Sequence, residues 1–137
     1  MDPDQELFVI IQKAAGRLLK EPLALLKGQG LSSQQYNVLR ILRGANASMN
    51  CTEIGSRMIN RDPDITRLLD RMEAKGWIER SRDGGDRRVV LSSISRAGLD
   101  LLAELDRPIL ECHRRQFAGL DKETKRLVAG TLKLFAD

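Results

Sequence analysis

A chain of 137 residues is long enough for one domain with a substantial core and too short for two independent ones. Its 42% hydrophobic and 31% charged residues exclude a disordered segment, and 4% aromatics leaves little material for stacking single-stranded bases. The formal net charge of +4 is compatible with a polyanionic partner without requiring one.

From Glu6 to Lys27 the apolar residues Leu7, Ile10, Ile11, Ala14, Ala15, Leu18 and Leu19 keep a helical period, which predicts a first helix with a wide apolar stripe. Pro22 is expected to kink or divide it, and Gly28-Gln29-Gly30 to end it. Ser32 or Ser33 with Gln35 opens a second helix, which runs through Tyr36, Val38, Leu39, Ile41 and Leu42 to Gly44. Asn50-Cys51-Thr52-Glu53 has the form of a capping box before a short third helix carrying Ile54 and Met58.

The next stretch organises the chain. Asp62 is a natural N-cap and Pro63 suits a first helical position, where its missing N–H is not needed. Ile65, Leu68, Leu69 and Met72 recur at i, i+3, i+4 and i+7, so this helix turns one stripe to a core while Arg67, Asp70, Arg71 and Lys75 lie off it. Gly76 stops it. Trp77 to Ser81 and Arg88 to Ile94 then read as two strands around the turn Arg82-Asp83-Gly84-Gly85-Asp86-Arg87. Two helices joined by a few residues and followed by a hairpin with a basic tip suggest a DNA reader with a wing. Ser95 can cap a long helix with the stripe Leu99, Leu102, Leu105, Ile109, Cys112 and Phe117 and a kink at Pro108, and Asp121 can cap a last helix.

No run approaches a membrane span, the first residues are acidic where a secretory signal is basic, and two cysteines make no disulfide framework, so the expected location is a reducing cytoplasm. His113 is the only histidine and has no partners at ligand spacing, so neither a metal nor a cofactor is expected. No nucleophile with a base, glycine-rich phosphate loop or carboxylate pair stands out, and the chain is not expected to be an enzyme.

Three segments in order, LSSQQYNVL from Leu31, ITRLLDRMEAKGWIER from Ile65 and DRRVVL from Asp86, resemble the multiple antibiotic resistance regulator (MarR) family of winged-helix transcription factors. The resemblance covers nearly the whole chain. It implies a mainly α fold with a small β wing (α+β). Residues 1–137 would form a single domain, with a winged helix-turn-helix lobe over 31–100 and a helical dimerisation region over 1–30 and 101–137 in which the terminal helices of two copies interdigitate. It also implies a homodimer straddling a pseudo-palindromic operator in double-stranded DNA, with a small ligand or an oxidant usually releasing it. The function expected is a sequence-specific DNA-binding transcription regulator, a repressor released by a small-molecule effector. The competing reading is a winged-helix protein-interaction module without an operator.

The DNA contacts so implied are Pro63, Asp64, Thr66, Arg67 and Arg71 on the recognition helix and Asp86, Arg87 and Arg88 on the wing. Arg67 can reach guanine N7 and O6 bidentately; its alternative is an i, i+3 pair with Asp70. Thr66 and Arg71 can touch base or phosphate. Asp62 and Asp64 replace small neutral residues frequent in the family at the helix start; they suit the helix dipole but repel phosphate, unless Asp64 accepts from a cytosine amine. They are the best support for the competing reading. Arg88 corresponds to the wing arginine that enters a narrow A·T-rich minor groove, with Asp86 orienting it; its alternative is an exposed turn salt bridge. Arg82 and Arg87 would add phosphate attraction. Tyr36 and Arg40, one turn apart, could line a cleft for a small aromatic or anionic effector, or simply join the lobe to the dimer core. Cys51, at a helix start, is either a reactive thiol or a packed residue, with packing favoured, and Cys112 is expected in the core. The family's peroxide sensors carry their cysteine in the first helix, where this chain has none.

Overall fold

The computed structural model describes residues 1–136, so the last residue of the expected 101–137 region lies outside them. The elements are α1 (Pro3–Gly28), α2 (Ser33–Ala45), α3 (Cys51–Arg57), α4 (Ile65–Ala74), β1 (Ile78–Arg82), β2 (Val90–Ile94), α5 (Arg96–Gln116) and α6 (Lys122–Leu132), then a 3₁₀ turn over Lys133–Phe135. The described chain is mainly helical with a two-stranded antiparallel wing.

Local capping sets most of the boundaries. Ser32 Oγ accepts from the Gln35 N–H at 3.1 Å while Gln35 Oε1 accepts from the Ser32 N–H at 2.9 Å, and Asn50 and Glu53 make the same reciprocal box before α3. Asp121 caps α6 through the Thr124 N–H. Gly76 ends α4's last turn at φ 78°, a left-handed conformation that a β-carbon would strain.

Pro22 and Pro108 do not divide their helices; both lie inside α1 and α5, which continue past them. A proline removes one N–H from the ladder, and the orphan carbonyl needs another donor. For Pro22 that carbonyl is Leu18, and Gln116 Nε2 donates to it at 2.7 Å. The rest of α1's ladder then carries the helix on.

The chain divides into two compact units, one over Leu23–Asp106 and the other formed by Met1–Pro22 with the segment from Arg107. In the first, Val38, Leu39, Leu42, Ile54, Leu69, Met72, Ile78 and Leu102 are buried, each worth about 1.5–3 kcal/mol for its side chain. Leu68, Leu69 and Met72 are the buried face of α4, as the helical period requires. β1 and β2 pair Ile78 with Ile94, Arg80 with Ser92 and Arg82 with Val90. The free side of β2 takes Met49, whose N–H and C=O exchange bonds of 2.9 and 2.8 Å with Ser92, tying the start of α3 to the wing. Ser95 Oγ donates to the Gly76 carbonyl at 2.6 Å and accepts from the Gly98 N–H at 3.1 Å, fixing the start of α5 against the end of α4.

In the second unit Cys112 is fully buried and Arg115 pairs with Glu21. Burial pushes the Cys112 thiol up, which keeps it protonated and unreactive. The same unit exposes Leu7, Phe8, Ile10 and Ile11 on α1 and Leu127, Val128 and Leu132 on α6. No helix of the described residues is long and apolar enough to cross a membrane.

Candidate nucleic-acid interface

The start of α4 differs from the expectation of an Asp62 cap with Pro63 as first helical residue. The helix begins at Ile65, and Asp64 is the cap: its Oδ1 accepts from the Arg67 N–H at 3.1 Å. Asp62 instead closes a turn across Pro63, its Oδ1 accepting from the Asp64 N–H at 2.8 Å. An aspartate that can bond its own backbone two residues on has a local alternative to capping, and here the downstream carboxylate takes the helix. Both acidic side chains are thus engaged with backbone donors at the positive end of α4.

One turn on, Thr66, Arg67 and Arg71 are exposed on the polar face. Arg67 makes no ion pair among the described residues; the i, i+3 pair with Asp70 does not form. Asp70 is held by Arg80 of β1, whose Nη2 stands 2.6 Å from Asp70 Oδ1 and 2.9 Å from Glu73 Oε1. Arg80 holds the Glu73 carboxyl below the ordinary carboxylate range. The starts of α2 and α4 flank an open cavity of 280 Å³ lined by Ser32, Gln34, Asp62, Asp64, Arg67 and Arg71 among others. Arg80, Ser32 and Gln34 were not expected at the site from the sequence. Gln34 could have been suspected from its place in the first turn of α2; Arg80's partners depend on how β1 lies against α4.

The wing loop runs from Asp83 to Val89, closed by the Asp83 N–H donating to the Val89 carbonyl at 2.9 Å. Arg88 therefore lies in the loop, two residues before the start of β2 and not in the strand expected from Arg88 to Ile94. Asp86 Oδ1 accepts from the Arg88 backbone N–H at 3.0 Å and from its Nε at 3.2 Å, and Oδ2 lies 3.4 Å from Nη2. The Arg88 guanidinium holds the Asp86 carboxyl below its usual range. Although anchored at its base, the Arg88 side chain is 92% exposed, and Arg87 is exposed beside it. The hairpin carries a pre-oriented cation at its tip.

Tyr36 and Arg40 come together on α2, the Arg40 guanidinium 5.8 Å from the centre of the Tyr36 ring, a cation–π contact. Neither the 280 Å³ cavity nor a second one of 310 Å³, where α2, β2 and α5 meet around Leu42, Asn46, Ser93 and Leu99, includes them. Cys51 is half-buried at the start of α3.

The family model that matches is the MarR family, over residues 31–90, the segment that spans α2 to the first residue of β2. The chain is 30% identical over 128 residues to the multiple antibiotic resistance protein MarR of Escherichia coli, covering 93% of this chain and 81% of that one. It is 26% identical over 126 residues to the transcriptional repressor MprA of Escherichia coli, covering 90% of this chain and 72% of the other. Among solved structures it resembles a mutant of Escherichia coli MarR complexed with operator DNA, with a TM-score of 0.86 at 22% identity, covering 100% of both chains.

Proposed function

This chain is a DNA-binding transcription regulator that belongs to the MarR family, and we propose that it works as a homodimeric repressor on a pseudo-palindromic operator, released by a small aromatic or anionic effector. The observation that carries the DNA reading is Arg67. Its guanidinium is exposed one turn into α4 with no carboxylate partner among the described residues, so it is free to donate bidentately to guanine in a major groove. Arg88, oriented by Asp86 at the wing tip, is the matching reader of a narrow minor groove. Thr66, Arg71 and Arg87 add base or phosphate contacts. Pro63 and Asp64 shape the approach of α4, Asp64 chiefly as its cap.

Dimerisation is supported by the apolar side chains that α1 and α6 leave in water. Two recognition helices must sit about 34 Å apart to enter successive major grooves, so an effector that changes that spacing releases the operator. Arg40, with Tyr36 beneath it, is the cation that would meet an anionic aromatic. The repressor sense is supported by the likeness to MprA.

The reading as a protein-interaction module drew on the acidic start of α4, and those carboxylates are occupied by backbone N–H groups. The deciding experiment titrates the full chain against duplex DNA from its own upstream region and against a shuffled duplex at several salt concentrations. Sequence-selective binding is expected, weakened by Arg67→Ala and by Arg88→Ala. Binding indifferent to sequence and to both substitutions would overturn the proposal.

A further inference from the structure

Residues three apart on a helix are neighbours, so Arg67 and Asp70 are placed to pair. A pair there would fold the Arg67 guanidinium onto its own helix and neutralise it. The structure shows Asp70 occupied elsewhere. Arg80 reaches it at 2.6 Å and Glu73 at 2.9 Å through one nitrogen.

Two physical reasons make Arg80 the stronger partner. Its side chain is 19% exposed, so its attraction to the carboxylates is less screened than that of a solvated arginine. It also rises from a strand fixed by the β1–β2 ladder, which lowers the rotamer entropy lost on pairing compared with the exposed Arg67. One guanidinium serving two carboxylates engages both acidic side chains of α4, with one negative charge still in excess, and leaves Arg67 unpaired.

We propose that Arg80 is a positioning residue for DNA recognition, which, by holding Asp70, keeps that carboxylate from capturing the guanidinium of Arg67. This rests on the reading of Arg67 as a base-contacting arginine. Arg80 itself need touch no nucleotide.

The test is a mutant cycle read by anisotropy titration of the full chain against the upstream and the shuffled duplex, at two salt concentrations, with thermal midpoints measured in parallel. Arg80→Gln weakens upstream-duplex binding by about twofold to fivefold, the range of an exposed ion pair, and lowers discrimination against the shuffled duplex. The salt slope is unchanged, since no phosphate contact is lost. Asp70→Asn restores the affinity of Arg80→Gln, while by itself it changes binding little. Glu73→Gln restores nothing, because Glu73 is six residues from Arg67 and off its face. Equal rescue by Asp70→Asn and Glu73→Gln would show that Arg80 only offsets acidic charge. No rescue by either would show that it contacts DNA or serves folding alone. Each of these results overturns the proposal. Should Arg80→Gln fold poorly, Arg80→Lys keeps the charge without the planar fork and gives a smaller loss with the same Asp70-specific rescue. Arg67→Ala, measured alongside, tests the underlying reading separately: unaltered discrimination in that variant sinks the base-reading role whatever the cycle returns.

Discussion

The side-chain amide of Gln116 donates to the Leu18 carbonyl at 2.7 Å, and that carbonyl is the acceptor four residues before Pro22, which has no N–H to offer it. A residue of α5 thereby completes the ladder of α1. Replacing Gln116 by alanine leaves the acceptor unsatisfied, an expected cost of about 1–2 kcal/mol in urea unfolding. In a Pro22→Ala background the helix supplies its own N–H, and the cost of losing Gln116 shrinks. Equal costs in both backgrounds would count against this account.

Gly98 lies against the backbone of Trp77, in the connection between α4 and β1. A β-carbon there would sit 2.4 Å from the Trp77 carbonyl oxygen and 2.8 Å from Ile94 Cγ1. The same oxygen accepts from the Ser95 N–H at 3.0 Å, so it is not free to move. Gly98→Ala is expected to destabilise by about 1–3 kcal/mol through overpacking, visible as a lower urea midpoint. A midpoint at or above wild type would show that α5 shifts at no cost.

Arg43 and Asp106 form a bidentate pair, 2.8 and 2.9 Å, linking α2 to α5. The Arg43 guanidinium holds the Asp106 carboxyl below its ordinary range. A depressed folded value means the pair stabilises above the unfolded carboxyl's titration, near pH 4, and that this contribution is lost as pH falls through the folded value. With Asp106 47% exposed, solvent screening limits it to about 0.5–1 kcal/mol. Asp106→Asn should therefore lose that much stability at pH 7 and converge with wild type once the pH has fallen below the depressed folded value of the carboxyl. A gap that persists in acid would assign the effect to packing.

Asp64 separates a structural from a recognition role. Asp64→Ala removes the α4 cap and is expected to cost about 1 kcal/mol of stability. Asp64→Asn can still accept from the Arg67 N–H, so stability should hold, while losing a negative charge beside the DNA should tighten binding and lower its dependence on sequence only slightly. A marked change of base preference with Asp64→Asn would instead place the carboxylate on a cytosine amine.

The exposed apolar side chains of the terminal helices predict association. Phe8 is 64% and Leu127 68% exposed. Sedimentation at micromolar concentration should return a dimer for the wild type and a smaller mass for Phe8→Lys with Leu127→Lys. DNA affinity should fall steeply with it, because one lobe covers only one half-site. A monomeric wild type would remove both the dimer and the half-site geometry.

What the residues of this chain determine without a structure is whatever is decided within about one helical turn. The reciprocal boxes Ser32 with Gln35 and Asn50 with Glu53, the Asp121 cap, the Gly76 stop and the buried stripe of α4 are all read from neighbours at i+1 to i+4. Their order, with the ITRLLDRMEAKGWIER and DRRVVL segments, was enough to name the family. The tertiary structure decided what depends on partners far along the chain. Two local caps compete in Asp-Pro-Asp, and only the folded turn shows Asp64 prevailing. Pro22 reads as a kink or a break, and α1 continues past it where Gln116, 94 residues later, fills the gap it leaves. The spacing of Arg67 and Asp70 leaves a pair open as an alternative until β1 brings Arg80 against α4. In each case the choice rests on which charged or polar group a packed neighbour presents, and sequence spacing carries no record of that.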